Sequence, residues 1–492
     1  MKRNLLIVPA LMVAAFFVTT EIAKAADISF SGQVLHRYEV NEHGLNGANT
    51  FNDESTPADF MVSRVRLNAD VAVNDTTSAF IQMSRNSTWG SNGQDNNNTG
   101  SDTGANDGSF EVSDNDAKLG LHQAYFTLKN FAGMPVDLKM GRQQIVLDGH
   151  RIFGNTIWTV GQQTHDALRL DHKHDNMSFS YAWITNSEDG TPGNNATASS
   201  SNEIETHMAY FKYAGILGGN LSATYAGIID PCGNNSNCTT APAESRNDMH
   251  TIGFRQAGQL YGIDYRGEYY YQWGDANQDA QNLTTGSSTA GVGVDRDAYM
   301  FGVRIGKTFK NVNMKPSITV WYDYLSGTDD SDLTATDAKF KSFNPVFDTG
   351  HKFYGLQDVF LGIGTGNESN GTAALGLQDL AIKTKMSPAP GWTFKADYHW
   401  FYTAASARAN VNRGLAGQAD NANTSGTAAI AAADSSNALG NEIDLSLSNK
   451  YNANTTITAG FSNYSNTDLF RDLRNVSGGG ANWAYLQFDV KF

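Results

Sequence analysis

Positive charge is scarce in this chain. Lysine and arginine number 35 against 50 aspartates and glutamates, a formal net charge of −15. A nucleic-acid binder would carry a basic stripe, and a chain with a pI near 5.1 argues against one. Charge of either sign is sparse, at 17% of residues, against about 25% in an ordinary soluble domain. Long apolar runs are missing beyond the extreme N-terminus, so no later stretch reaches the roughly 18–20 residues a spanning helix needs. With a mean hydropathy of −0.40, a helical membrane protein is excluded. Nucleotide-binding loops, zinc-ligand spacings and haem motifs are also absent, and the histidines are scattered. No catalytic residue, cofactor or metal is therefore expected.

The one apolar run reads as an export signal. Lys2 and Arg3 precede an apolar stretch from Leu5 to Val18, too short to span, and Ala23-Lys24-Ala25 fits the small-x-small cleavage rule. Residues 1–25 are the expected signal peptide, and 26–492 the mature single domain outside the cytoplasm. Cysteine occurs only twice, as Cys232 and Cys238 around Gly-Asn-Asn-Ser-Asn. In an oxidising compartment the pair is expected to close a small disulfide ring; two free thiols are the alternative.

What the chain does have is alternation. Ile28, Phe30, Val34, Tyr38 and Val40 oppose Ser29, Ser31, Gln33, Arg37 and Glu39. Val65 and Leu67 oppose Arg64 and Arg66; Trp392, Phe394, Tyr398 and Trp400 oppose Lys395, Asp397 and His399. Tyr261, Ile263, Tyr265, Tyr269 and Tyr271 oppose Asp264, Arg266 and Glu268. Successive strand residues point to opposite faces, so each segment has one apolar and one polar side. About eighteen such segments of about ten residues can be counted, the span of a tilted barrel strand. Segments 204–214 and 353–365 are ambiguous, and sixteen strands remain possible.

The connections alternate between short and long. Short ones fall at 74–76, 173–176, 257–259, 387–391 and 451–454. Long ones, rich in Gly, Asn, Asp, Ser and Thr, fall at 87–118, 143–164, 187–203, 231–246, 273–295, 327–374 and 405–440. This asymmetry, with aromatic residues near segment ends, predicts an all-β fold: a transmembrane antiparallel β-barrel with short periplasmic turns and long surface loops. A large secreted all-β protein is the alternative. The chain ends on the alternating strand Tyr485–Phe492, which resembles the C-terminal signal read by the barrel assembly machinery.

Two stretches resemble the alginate export family of outer-membrane barrels. The first runs from Leu119-Gly-Leu-His-Gln-Ala-Tyr-Phe through Leu138-Lys-Met-Gly-Arg-Gln143 to Arg151-Ile-Phe-Gly-Asn155, Trp158 and Asp166-Ala-Leu-Arg-Leu170. The second joins Phe347-Asp348, Phe353-Tyr-Gly-Leu-Gln-Asp358, Lys395-Ala-Asp-Tyr-His-Trp400 and Gly440-Asn-Glu-Ile-Asp-Leu-Ser-Leu447. The resemblance implies a barrel of about eighteen strands in a bacterial outer membrane, bounded by lipid and lipopolysaccharide, and a channel through it.

By alternation, basic and acidic residues are roughly balanced on the lumen face, so the acidic excess belongs to the loops. A neutral or slightly basic wall favours anionic or polar solutes. The candidate lining residues are Arg37, Arg64, Arg66, Arg169, Arg266, Arg304, Lys383 and Lys395. Each could instead be scaffolding, paired with Glu39, Asp70, Asp171, Asp264, Glu268 or Asp397. Arg142 is a ninth candidate. Strict alternation with Leu138 and Met140 points it at lipid; a bulge at Gly141 would turn it inward, and the rim would accommodate it cheaply. The resemblance, with an arginine in this Gly-Arg-Gln element, favours the inward role. The acidic loop 91–116 has calcium-like composition but not the spacing of a calcium loop, and is expected to be solvated surface. The functions in view are a passive channel for small polar or anionic solutes, an exporter of an anionic polysaccharide such as alginate, and a surface adhesin or barrel enzyme.

Overall fold

A computed structural model describes residues 26–42, 58–89, 119–187, 204–230, 246–277, 279–280, 293–334, 337–361, 371–406, 437–474 and 478–492. Eighteen antiparallel strands form the wall, each paired with its neighbours in the chain. The first, Asp27–Asn41, pairs with both the second, Ala58–Ala72, and the last, Gly480–Lys491, so the sheet closes on itself. Closure leaves no edge with unpaired backbone groups, as a sheet in hydrocarbon requires. A nineteenth segment, Lys339–Phe340, pairs only with the end of strand Asp295–Thr308 and lies outside the wall sequence. Of the two ambiguous segments, 204–214 falls within the wall strand Ile204–Ile216, whereas the described part of the other, 353–361, contains no strand.

The alternation maps onto the two faces. Ile28, Phe30, Val65, Leu67, Ile305, Phe488 and Val490 are exposed on the outer face, while Arg37, Arg64, Arg66 and Arg304 are buried inside. Stacked outward rings, Tyr271 on Trp273 and Tyr299 on Tyr324, supply the aromatic belt.

One end of the barrel carries only short turns. Two are tight hairpins, Leu217-Gly218 and Tyr261-Gly262, with φ positive at both central residues, the geometry that matches strand twist. The second corrects the turn expected at 257–259. Strand Met249–Leu260 runs through those residues, and Leu260 pairs with Ile263 across the turn. Tyr261 is therefore a fully exposed turn residue and not part of the apolar strand face.

The other end carries the long connections, among them those that follow Asn41 and Asn466. The latter holds a short helix, Asp468–Arg474. Two long connections do not stay at the surface. Segments 143–164 and 341–361 fold into the barrel and meet at a parallel bridge between Phe153 and Phe347, whose rings stack at 5.2 Å. Ile145, Phe153, Phe343, Phe353 and Phe360 there pack on inward wall residues such as Ala182, Met208, Met300 and Phe401. This apolar core inside the wall explains the small and apolar residues at those inward positions. Gly355 (φ +85) allows a close approach: a Cβ there would lie 2.4 Å from the Glu442 carboxylate, which accepts the Gln357 backbone N–H at 2.9 Å.

Candidate functional site: the barrel lumen

Arg37, Arg64 and Arg66 come together because adjacent strands place them on the same face. Arg37 is paired with Glu39 at 2.7 Å and lies 3.5 Å from the Trp158 ring centroid. Arg64 donates to the Ile157 carbonyl at 3.2 Å and the Thr159 carbonyl at 3.4 Å. Arg66 donates to the Gln162 side chain at 2.7 Å. Neither Arg64 nor Arg66 has a carboxylate within ion-pair distance among the described residues. The cluster thus holds the returning arm of segment 143–164 against the wall and keeps two uncompensated positive charges beside it.

Arg266 and Arg304 lie on another part of the wall. Arg304 is 3.3 Å from Asp323 and stacks 3.3 Å from the Trp321 ring centroid. Arg266 is 3.7 Å from Glu268. At the centre of this group is a residue the sequence reading did not single out. Arg151, on the inward segment, is almost completely buried and bonds Glu268, Asp323 and Tyr354. Burial works against its charge, but Asp323, Tyr354 and Glu268 outweigh it and raise its pKa well above the ordinary value. Its available signal was an arginine beside Ile152 and Phe153 in a long connection that also carries Ile145, Val146, Leu147, Ile157, Trp158 and Val160. Arg255, on a wall strand beside the outward Phe254, lies 3.6 Å from Asp148 and 3.8 Å from Glu268; it was readable by alternation and was not singled out.

Below the inward segments is a chamber of about 560 Å³. Trp158, Trp321 and Tyr485 contribute rings, and Lys352, Lys383, Lys385 and Lys395 contribute cations. Lys383 is neutralised by Asp397 at 2.9 Å. Lys352, Lys385 and Lys395 have no carboxylate partner among the described residues. The Lys352 pKa is lowered, first by burial and then by the nearby guanidiniums of Arg266, Arg255 and Arg151, with Glu268 opposing. Lys385 was readable from the sequence, two residues beyond Lys383 on the same face, and was not singled out.

The remaining candidates lie elsewhere. Arg169 faces inward but is taken up by Asp171 at 2.8 Å and by Ser180. Arg142 corrects an expectation: it faces outward. The register Ala124–Arg142–Asp166 continues without a shift, so Gly141 seats no bulge. Gly141 is needed because a Cβ there would lie 2.3 Å from the Ala124 carbonyl oxygen. Arg142 pairs with Asp166 at 2.9 Å, with 44% and 60% of the two side chains exposed. Asp166 lies one rung beyond the outward Trp183, where the strand Asp137–Gln143 stops, so the pair sits at the barrel rim, where charge costs little. Cys232, Cys238 and the acidic loop 91–116 lie outside the described residues.

The alginate export family model matches residues 27–481. The chain belongs to the alginate export family. No curated protein matches it. Among solved structures it is similar to Acinetobacter baumannii OccAB1, at TM-score 0.54 and 10% identity, covering 94% of this chain and 96% of that one. It is similar to OccAB2 of the same organism, at TM-score 0.54 and 11% identity over 95% and 98% of the two chains. Pseudomonas aeruginosa OccK8 (OprE) matches at TM-score 0.52 and 11% identity, again over 95% and 98%. At these identities the likeness is one of fold. This alginate export family member is an outer-membrane β-barrel channel, with lipid against its apolar outer face.

Proposed function

We propose that this channel passes small anionic or polar solutes by passive diffusion. The observation that carries this reading is positive charge in the lumen of an acidic protein that no carboxylate among the described residues pairs with: Arg64, Arg66, Lys352, Lys385 and Lys395. Fixed cations in a narrow, low-dielectric passage raise the local concentration of anions. A chamber of about 560 Å³ suits a small solute better than a polymer (small-molecule sites span roughly 300–1,000 Å³), which favours the passive channel over polysaccharide export. Residues 1–25 serve as the export signal in this reading, and the C-terminal strand is the element offered to the assembly machinery. Catalysis has no part in it. The test is the reversal potential of the purified protein in a planar bilayer under a salt gradient. Anion preference at low salt supports the reading; equal anion and cation permeability overturns it.

A further inference from the structure

Lys385 and Lys395 are direct cross-strand partners on the lumen face near the short-turn end. Like charges directly opposite each other destabilise a sheet, and no carboxylate among the described residues offsets these two. On the same rung, Ser317 pairs with Lys385, and Ser446 with Lys395. The rung reads Ser317–Lys385–Lys395–Ser446: two hydroxyls flanking two ammonium groups. The next rung, Thr319–Lys383–Asp397–Asp444, differs in kind. There Lys383 is held by Asp397 at 2.9 Å, and Asp444 accepts from Ser462. Lys352, on segment 341–361, faces the same chamber.

We propose that the Lys385–Lys395 rung is a binding site for a small dianion, either a phosphate-type oxyanion or a solute with two carboxylates. Opposed strand positions bring the two Cβ atoms within about 5 Å. Flexible stems let both ammonium groups converge on one anionic group. Each provides up to three donors and the Ser446 hydroxyl adds one more (the Ser317 hydroxyl donates to the Lys385 carbonyl at 3.4 Å), while Lys352 offers a further positive charge for a second anionic group. The channel thus concentrates dianions at its periplasmic mouth. This deepens the anion-channel reading and rests on it.

The test is block of chloride current through the full-length protein in a planar bilayer, with inorganic phosphate, succinate or acetate added to one side. Phosphate, succinate or both should block from the short-turn side at concentrations about tenfold below acetate, the value of one charge-assisted hydrogen bond. Phosphate alone identifies a single oxyanion group; succinate alone identifies two separated carboxylates. Lys385→Ser with Lys395→Ser should raise the blocking concentration about tenfold. Lys385→Arg with Lys395→Arg should keep the block. Equal potency of all three anions, or an unchanged block in the serine variant, overturns the site. Should the serine variant fail to fold, the comparison of anions on the native channel still decides. Reversal potential, read in the same bilayers, separates the two proposals: anion preference without dianion block removes this site alone.

Discussion

Arg151 donates a 2.6 Å hydrogen bond to the Tyr354 hydroxyl across 203 residues of chain. That contact fastens the two inward segments to each other, and the same guanidinium fastens them to Glu268 and Asp323 on the wall. Removing one partner from a buried charge network costs about 3–5 kcal/mol, because the remaining charges are left uncompensated. Here Arg304 and Arg266 take up part of that loss. Arg151→Met should therefore leave the barrel assembled, with normal heat-modifiable migration, but release the segments. Single-channel records should show a larger conductance and more open-state noise. Unaltered conductance and noise would mean that the apolar core alone holds the segments.

The Arg64 and Arg66 charges have no ion-pair partner among the described residues, so their removal should be felt as selectivity. Arg64→Ala with Arg66→Ala is expected to move the reversal potential toward cations while the barrel still assembles, since lumen substitutions tune selectivity. The shift should shrink in about 1 M salt, where screening acts within about 3 Å. A reversal potential that does not move at low salt would place the conducting path away from this cluster.

Asp348 lies in the inward segment, and its Oδ2 is sealed from water with no hydrogen-bond partner among the described residues. Burial pushes its carboxyl up from 3.8 to about 8; Arg151 opposes this and Asp358 adds to it. A carboxyl raised on folding contributes its stability fully below 3.8 and loses it as pH climbs through about 8. The inward segment should therefore be held more tightly at about pH 5 than at about pH 9. Hydrogen exchange of residues 341–361 at the two pH values, corrected for intrinsic rates, measures this. Asp348→Asn should flatten the difference, and a native protein with equal protection at both values contradicts the assignment.

The short turns are expected to face the periplasm and the long connections the cell surface. An Asn452→Cys variant, made with Cys232 and Cys238 replaced by serine, should resist an impermeant thiol reagent on intact cells and react once the outer membrane is opened. Labelling on intact cells would invert the topology.

Trp158 is gripped between Arg37, 3.5 Å from its ring centroid, and His351, stacked at 4.4 Å. Cation–π contacts of this kind are worth about 0.5–2 kcal/mol, too little to decide assembly. Trp158→Ala should enlarge the chamber and raise conductance with no loss of folded barrel on a gel. Conductance equal to the native value would put the narrowest point elsewhere.

The wall was legible in the sequence because it is made by a local rule. A closed barrel in lipid needs apolar residues outward at every second position, and Val65-Arg66-Leu67 or Phe488-Asp489-Val490 state that without reference to any distant residue. The same rule pointed Arg37, Arg64, Arg66, Arg266, Arg304, Lys383 and Lys395 inward, and it pointed Arg142 outward against the resemblance. It could not say which of these charges stay free. That depends on partners brought by closure and infolding: Asp171 takes Arg169, Asp397 takes Lys383, and Arg151 arrives from a loop to sit between Glu268 and Asp323. Nor could alternation reveal that segments 143–164 and 341–361 enter the lumen, because loop residues carry no periodicity and their apolar partners are wall positions far away in sequence. The sequence alone determined a membrane barrel and the side each strand residue takes. The tertiary structure decided how much of the lumen remains open and which cations face it, because both follow from contacts between segments that only a closed barrel brings together.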